Sequence, residues 1–155
     1  YRVRPPETRF TLGENFQPMA EEVRFGDFAR LAGYRLIWAD ASAAPALVLT
    51  FEALKPAPAG YHIYIHLRDS QGAPIATWDS VPVRNVYTAY PTTLWETGEY
   101  VIHRRTLALP PGVTLDADES YTLAVGFYAL DEQHTRIEAR INDAVSDGLV
   151  IPYEE

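Results

Sequence analysis

Three stretches of this chain alternate with a period of two, and that period leaves little choice of fold. Leu47, Leu49, Phe51 and Ala53 alternate with Val48, Thr50, Glu52 and Leu54. Tyr61, Ile63, Ile65 and Leu67 alternate with His62, Tyr64, His66 and Arg68. Tyr121, Leu123, Val125, Phe127 and Ala129 alternate with Thr122, Ala124, Gly126 and Tyr128. Successive side chains of a strand point to opposite faces, so each stretch predicts a strand with one buried face. Weaker runs add strands at 10–12, 31–38, 75–79, 101–109, 136–141 and 149–153. Between them stand turn-forming segments: Lys55-Pro56-Ala57-Pro58-Ala59-Gly60, Asp69-Ser70-Gln71-Gly72, Pro110-Pro111-Gly112 and Asp131-Glu132-Gln133-His134. Only 20–32 offers a helix, with Ala20, Val23, Phe28 and Leu31 on one face. Phe25 falls off that face and Gly26 weakens the interior, so this stretch reads as extended or irregular. About nine short strands with turns every ~8–12 residues predict an all-β fold, a two-sheet antiparallel β-sandwich of jelly-roll or immunoglobulin-like type.

Composition narrows the function classes. At 155 residues and 47% hydrophobic, the chain suits one domain, which needs neither disulfide nor metal to hold its core. It has no cysteine, hence no thiolate nucleophile and no Cys-ligated zinc. The formal charge of −8 argues against nucleic acid, whose phosphates require a basic face. No run approaches the ~18 apolar residues of a membrane-spanning helix. The chain starts at Tyr1, and Arg2, Arg4, Pro5 and Pro6 give residues 1–9 the character of an extended linker. We therefore expect a segment of a larger protein, with the arm 1–9 leading into a single sandwich domain at 10–155.

Two groups of residues are candidates for binding. In the segment 78–99, Trp78, Tyr87, Tyr90 and Trp95 offer aromatic faces that suit the apolar C–H side of a pyranose. The alternative is that they anchor a long crossover to the end of the sandwich. His62, Tyr64 and His66 form a second patch, a stripe on one strand face that is either an ordinary amphipathic surface or a hydrogen-bonding platform. On a strand, residues four apart are separated by ~13 Å, too far for His62 and His66 to share a metal ion. Asp116, Asp118 and Glu119 lack the glycine and closing glutamate of a calcium loop and read as a solvated turn. There is no nucleophile elbow, phosphate loop or dinucleotide motif, and nothing singles out a pair of catalytic carboxylates. We expect a non-enzymatic domain without cofactor or metal.

One resemblance covers most of the chain. The order Asn15-Phe16, Leu31-Ala32-Gly33-Tyr34, Tyr64-Ile65-His66-Leu67-Arg68-Asp69, Trp78-Asp79-Ser80-Val81-Pro82, Pro91-Thr92-Thr93-Leu94-Trp95-Glu96-Thr97-Gly98-Glu99 and Val125-Gly126-Phe127-Tyr128 resembles an accessory β-sandwich. Similar domains follow the membrane portion of some bacterial glycosyltransferases of the dolichyl-phosphate-mannose–protein-mannosyltransferase type. In that family an acidic residue often follows the Gly-Glu strand; here His103, Arg104 and Arg105 stand there. The family's chemistry belongs to its membrane portion, so no catalytic residue carries over. The resemblance implies an extracytoplasmic accessory domain, tethered to an upstream membrane domain, near a carbohydrate or glycan acceptor. The alternative is a purely structural or protein–protein interaction module.

Overall fold

The computed structural model describes residues 17–39, 44–84 and 88–154. The expected strand at 10–12, the arm 1–9 and Tyr87 lie outside the described residues. The strands are β1 (Gln17–Pro18), β2 (Val23–Phe25), β3 (Ala29–Ile37), β4 (Ala46–Ala53), β5 (Tyr61–Arg68), β6 (Pro74–Thr77), β7 (Val83–Arg84), β8 (Thr88–Ala89), β9 (Tyr100–Thr106), β10 (Thr122–Ala129), β11 (Ala139–Ile141), β12 (Ala144–Ser146) and β13 (Leu149–Pro152). One sheet runs β12-β11-β2-β3-β4-β9, with β1 pairing alongside β3; the other runs β13-β10-β5-β6. β7 and β8 form a separate two-stranded ribbon. The strands beyond the expected nine are two- and three-residue pieces, too short to show a period. Among the described residues, no helix is long and apolar enough to cross a membrane.

Strand order decides between the two expected types of sandwich. Of the seven main strands, the first, second and fifth (β3, β4, β9) form one layer. The seventh, sixth, third and fourth (β13, β10, β5, β6) form the other. Consecutive strands β3–β4 and β5–β6 pair within their own sheets. That is the order of immunoglobulin-like sandwiches, in contrast to the two interleaved Greek keys of a jelly roll. A second mark of such folds is a tyrosine before the sixth strand that reaches back to upstream backbone. Here the Tyr121 hydroxyl accepts a hydrogen bond from the Asp116 N–H at 2.8 Å. The acidic cluster is therefore part of a corner: Asp116 also accepts from the Asp118 N–H, and Glu119 accepts from Ser70 across the turn.

Turn chemistry matches the sequence closely. Asp69 caps its turn by accepting from the Gln71 and Ala73 N–H groups, and Gly72 takes the φ of +82° that the turn requires. The stretch 20–32 is extended, as read: β2 and the start of β3 flank a turn at Gly26, with φ +54°. Asn142 and Asp143, both with positive φ, make the two-residue turn of the β11–β12 hairpin, a conformation these residue types tolerate better than others.

The inner faces meet around one ring. Phe127 on β10 packs edge-on against Phe25 (5.3 Å between centroids), Phe28 (5.1 Å), Phe51 (5.3 Å) and Trp95 (6.2 Å). Phe25 and Phe51 come from the facing sheet, Trp95 from the crossover before β9. Replacing Trp95 by Ala would empty a site that is 1% exposed. We expect a loss of about 3–5 kcal/mol in urea unfolding, with the remaining fold intact by circular dichroism.

Candidate functional site

The crossover aromatics prove to be anchors of the core. Trp78 is 7% exposed, Tyr90 6% and Trp95 1%. Their polar atoms are consumed internally: Trp78 donates its indole N–H to the Ala108 carbonyl, and Trp95 donates to the Tyr90 carbonyl, both at 2.9 Å. The Tyr90 hydroxyl stands 2.5 Å from Glu99 Oε1 and 3.0 Å from the Leu94 carbonyl. Glu99, itself buried, also accepts from the Glu96 N–H, which closes the Trp95–Glu99 turn around Gly98 at φ +90°. Rings so enclosed have no face to offer a sugar, so the stacking surface expected of Trp78, Tyr90 and Trp95 is replaced by the anchoring role. The side-chain spacing looked the same in both cases; only burial separates them.

The second patch is different. On the outer face of the β13-β10-β5-β6 sheet, register sets His62 opposite Tyr128, Tyr64 opposite Gly126 and His66 opposite Ala124. Arg136 bridges to Tyr128 on the other side, where the chain returns after the Asp131 turn. The His62 and Tyr128 rings lie 5.7 Å apart, with Tyr128 Oη 3.4 Å from His62 Nδ1. His134, exposed in the turn, sets its ring 5.1 Å from Tyr128 on the opposite flank. His66 Nε2 lies 3.4 Å from Asp79 Oδ1. Burial lowers the His66 pKa, an effect that Asp79 opposes and Arg136 and Arg68 reinforce. Burial, then the charge of Asp79, raises the pKa of the Tyr128 hydroxyl.

Tyr64 is the pivot beneath this face and no part of its open surface. It is 1% exposed, and its hydroxyl donates to the Asp147 carbonyl at 2.9 Å. A Cβ on Gly126 would stand 2.6 Å from the Tyr64 ring, and one on Gly148 only 2.1 Å from its hydroxyl. The two glycines thus make the slot in which the ring lies. The Arg136 guanidinium sits 4.3 Å from the ring centroid and closes it off from solvent. Of the three residues expected here, His62 and His66 reach the surface and Tyr64 supports it. Tyr128 was visible as a member of the outward series on its strand. Asp79, His134 and Arg136 carried no signal, since their arrival depends on register and on two turns.

Elsewhere the described residues offer less. A surface groove of about 410 Å³ is lined by Glu22, Arg24, Arg140, Asn142 and Asp143. Its arginines are already neutralised, Arg24 by Glu22 and Arg140 by Glu138. No group of three His, Asp or Glu side chains gathers in a way that could hold a metal, among the described residues.

His103 is buried beneath the crossover, where its Nδ1 accepts from the Val83 N–H at 3.2 Å. The ring proton is therefore on Nε2, which has no partner. Burial, reinforced by Arg105, lowers its pKa from 6.5 to about 4. The unfolded chain binds a proton below pH 6.5 while the folded one stays neutral down to about 4. This group then leaves stability unchanged above pH 6.5 and removes about 3 kcal/mol as pH falls through that window. Urea titrations of wild type and His103→Gln should differ in slope between those two pH values, with the variant flatter. For the slot, Gly126→Ala should cost about 2 kcal/mol in the same assay, because the Tyr64 ring has no room to retreat.

No protein-family model matches the chain, and no curated protein is similar enough to count as a relative.

Proposed function

We propose that this chain is a non-catalytic accessory domain of a larger extracytoplasmic protein, and that it binds carbohydrate on the outer face of the β13-β10-β5-β6 sheet. The observation that carries the reading is the gathering of three of the four histidines, His62, His66 and His134, with Tyr128, Asp79 and Arg136 on that face. Saccharides need apolar ring faces for their C–H groups and paired donors and acceptors for their hydroxyls. Tyr128 with its two flanking imidazoles supplies the rings. Asp79 and the imidazole nitrogens supply acceptors, and Arg136 supplies donors. A rigid antiparallel sheet holds these groups at little entropic cost on binding. The extracytoplasmic, glycosyltransferase-linked setting is supported by the resemblance of segments such as Tyr64–Asp69, Trp78–Pro82 and Pro91–Glu99.

A protein-interaction module is the second reading. It is favoured by β13, an edge strand paired on one side alone, whose Val150 is 55% exposed. Glycan-array screening followed by calorimetry separates the two. We expect saccharide binding that Tyr128→Ala weakens by about tenfold or more, with unfolding unchanged. Absence of binding to every saccharide at about 1 mM, together with concentration-dependent self-association, would favour the second reading.

A further inference from the structure

We infer that the saccharide taken by this face is an acidic one, a uronate whose carboxylate is received by Arg136; this rests on the carbohydrate reading above. Arg136 is held in place before any ligand arrives. Its guanidinium lies over the Tyr64 ring at 4.3 Å, and Tyr64 is itself fixed by the Gly126 and Gly148 slot and by its bond to the Asp147 carbonyl. The side chain therefore surrenders little freedom on binding. A guanidinium carries five N–H donors. One of them, on Nη1, reaches a protein acceptor, the Tyr64 hydroxyl at 3.4 Å. Among the described residues no carboxylate forms a salt bridge with Arg136; the same holds of Arg35, Arg68, Arg104 and Arg105, but Arg136 has its guanidinium fixed over a buried ring. In a chain with eight more negative than positive charges, an immobilised and unneutralised arginine is the group to explain. Of the acids close by, Asp79 is engaged by His66 and Tyr128, and Asp147 acts on the Tyr64 hydroxyl without forming a salt bridge to Arg136.

The neighbours complete the fit. A planar carboxylate matches the guanidinium fork in a bidentate pair. Arg136 pairs laterally with Tyr128, so a sugar whose carboxylate meets Arg136 lies within reach of the Tyr128 ring and of His62 beyond it. Charge and stacking then act on adjacent atoms of one residue of the glycan. A neutral sugar would fill the stacking half and leave the guanidinium to water.

The test is calorimetric titration of the intact protein with an oligogalacturonate and with its carboxyl-reduced, neutral counterpart. The uronate should bind about tenfold or more tightly than the neutral sugar. Arg136→Gln should reduce that preference to below about twofold, and Arg136→Lys, which keeps the charge without the fork, should retain only part of it. Because the preference is measured first on wild type, a variant that fails to fold does not rescue the inference. Equal affinity for the two sugars overturns the acidic class while carbohydrate binding stands. Absence of binding to either, and to every sugar on an array, overturns both. A preference that survives intact in a folded Arg136→Gln protein overturns the assignment to Arg136.

Discussion

The ring of Phe127 is the point on which the rest of this structure leans. It stands on β10, one of the two strands that pair on both sides within their own sheet, and four aromatic rings close on it. Two of those rings belong to the facing sheet, so the contact joins the layers. Trp95 belongs to the crossover, so the same contact also closes the end of the sandwich. Edge-to-face aromatic pairs have preferred angles as well as buried area, which makes the cluster a determinant of how the sheets align. Val101, Leu49 and Ile65 belong to the same buried cluster, which is close-packed like other protein interiors.

A strand that places Phe127 inward must place Gly126 and Tyr128 outward. The outer face thus inherits its layout from the core. Gly126 leaves room for Tyr64, whose ring fills the groove over β10, and Tyr128 rises beside it among the histidines. Aromatic residues on the two faces do different work. Inside, phenylalanine and tryptophan exclude water and satisfy their few polar atoms with backbone carbonyls. Outside, Tyr128 and the histidines are steadied by each other and by Asp79, while Tyr64 lies buried under Arg136 with its hydroxyl bonded to the Asp147 carbonyl. The face is rigid for a reason that can be traced residue by residue.

Much of this was legible beforehand. The three alternating stretches are β4, β5 and β10, and their apolar series are buried except for Tyr61, Tyr121 and Ala129, which are half-buried at the strand ends. Asp69-Ser70-Gln71-Gly72 falls where β5 ends, because turn chemistry acts locally; Pro110-Pro111-Gly112 lies in the connection after β9, which already ends at Thr106. The aromatic crossover was less legible. Trp78 and Trp95 flank prolines and polar residues, a composition that suits an exposed loop and a pinned one equally. What decides is the presence of carbonyl acceptors at Ala108 and Tyr90 and of a pocket beside Phe51 and Phe127, all supplied by distant parts of the chain. Tyr64 shows the converse. Its place in a polar series suggested exposure, yet it is buried, because the residue opposite happens to be glycine.

From the sequence alone follow the all-β class, the positions of the long strands, which side chains share a face, and the net negative charge. These are consequences of local geometry and of summed charge, and neither needs to know where distant segments lie. Only the tertiary structure decided the immunoglobulin-like strand order over a jelly roll, the burial of the crossover aromatics, and the meeting of Asp79, Tyr128, His134 and Arg136 beside His62 and His66. Those depend on which strands pair and in what register. Register is set by the packing of two sheets against each other, a balance over the whole core that no single stretch of residues contains.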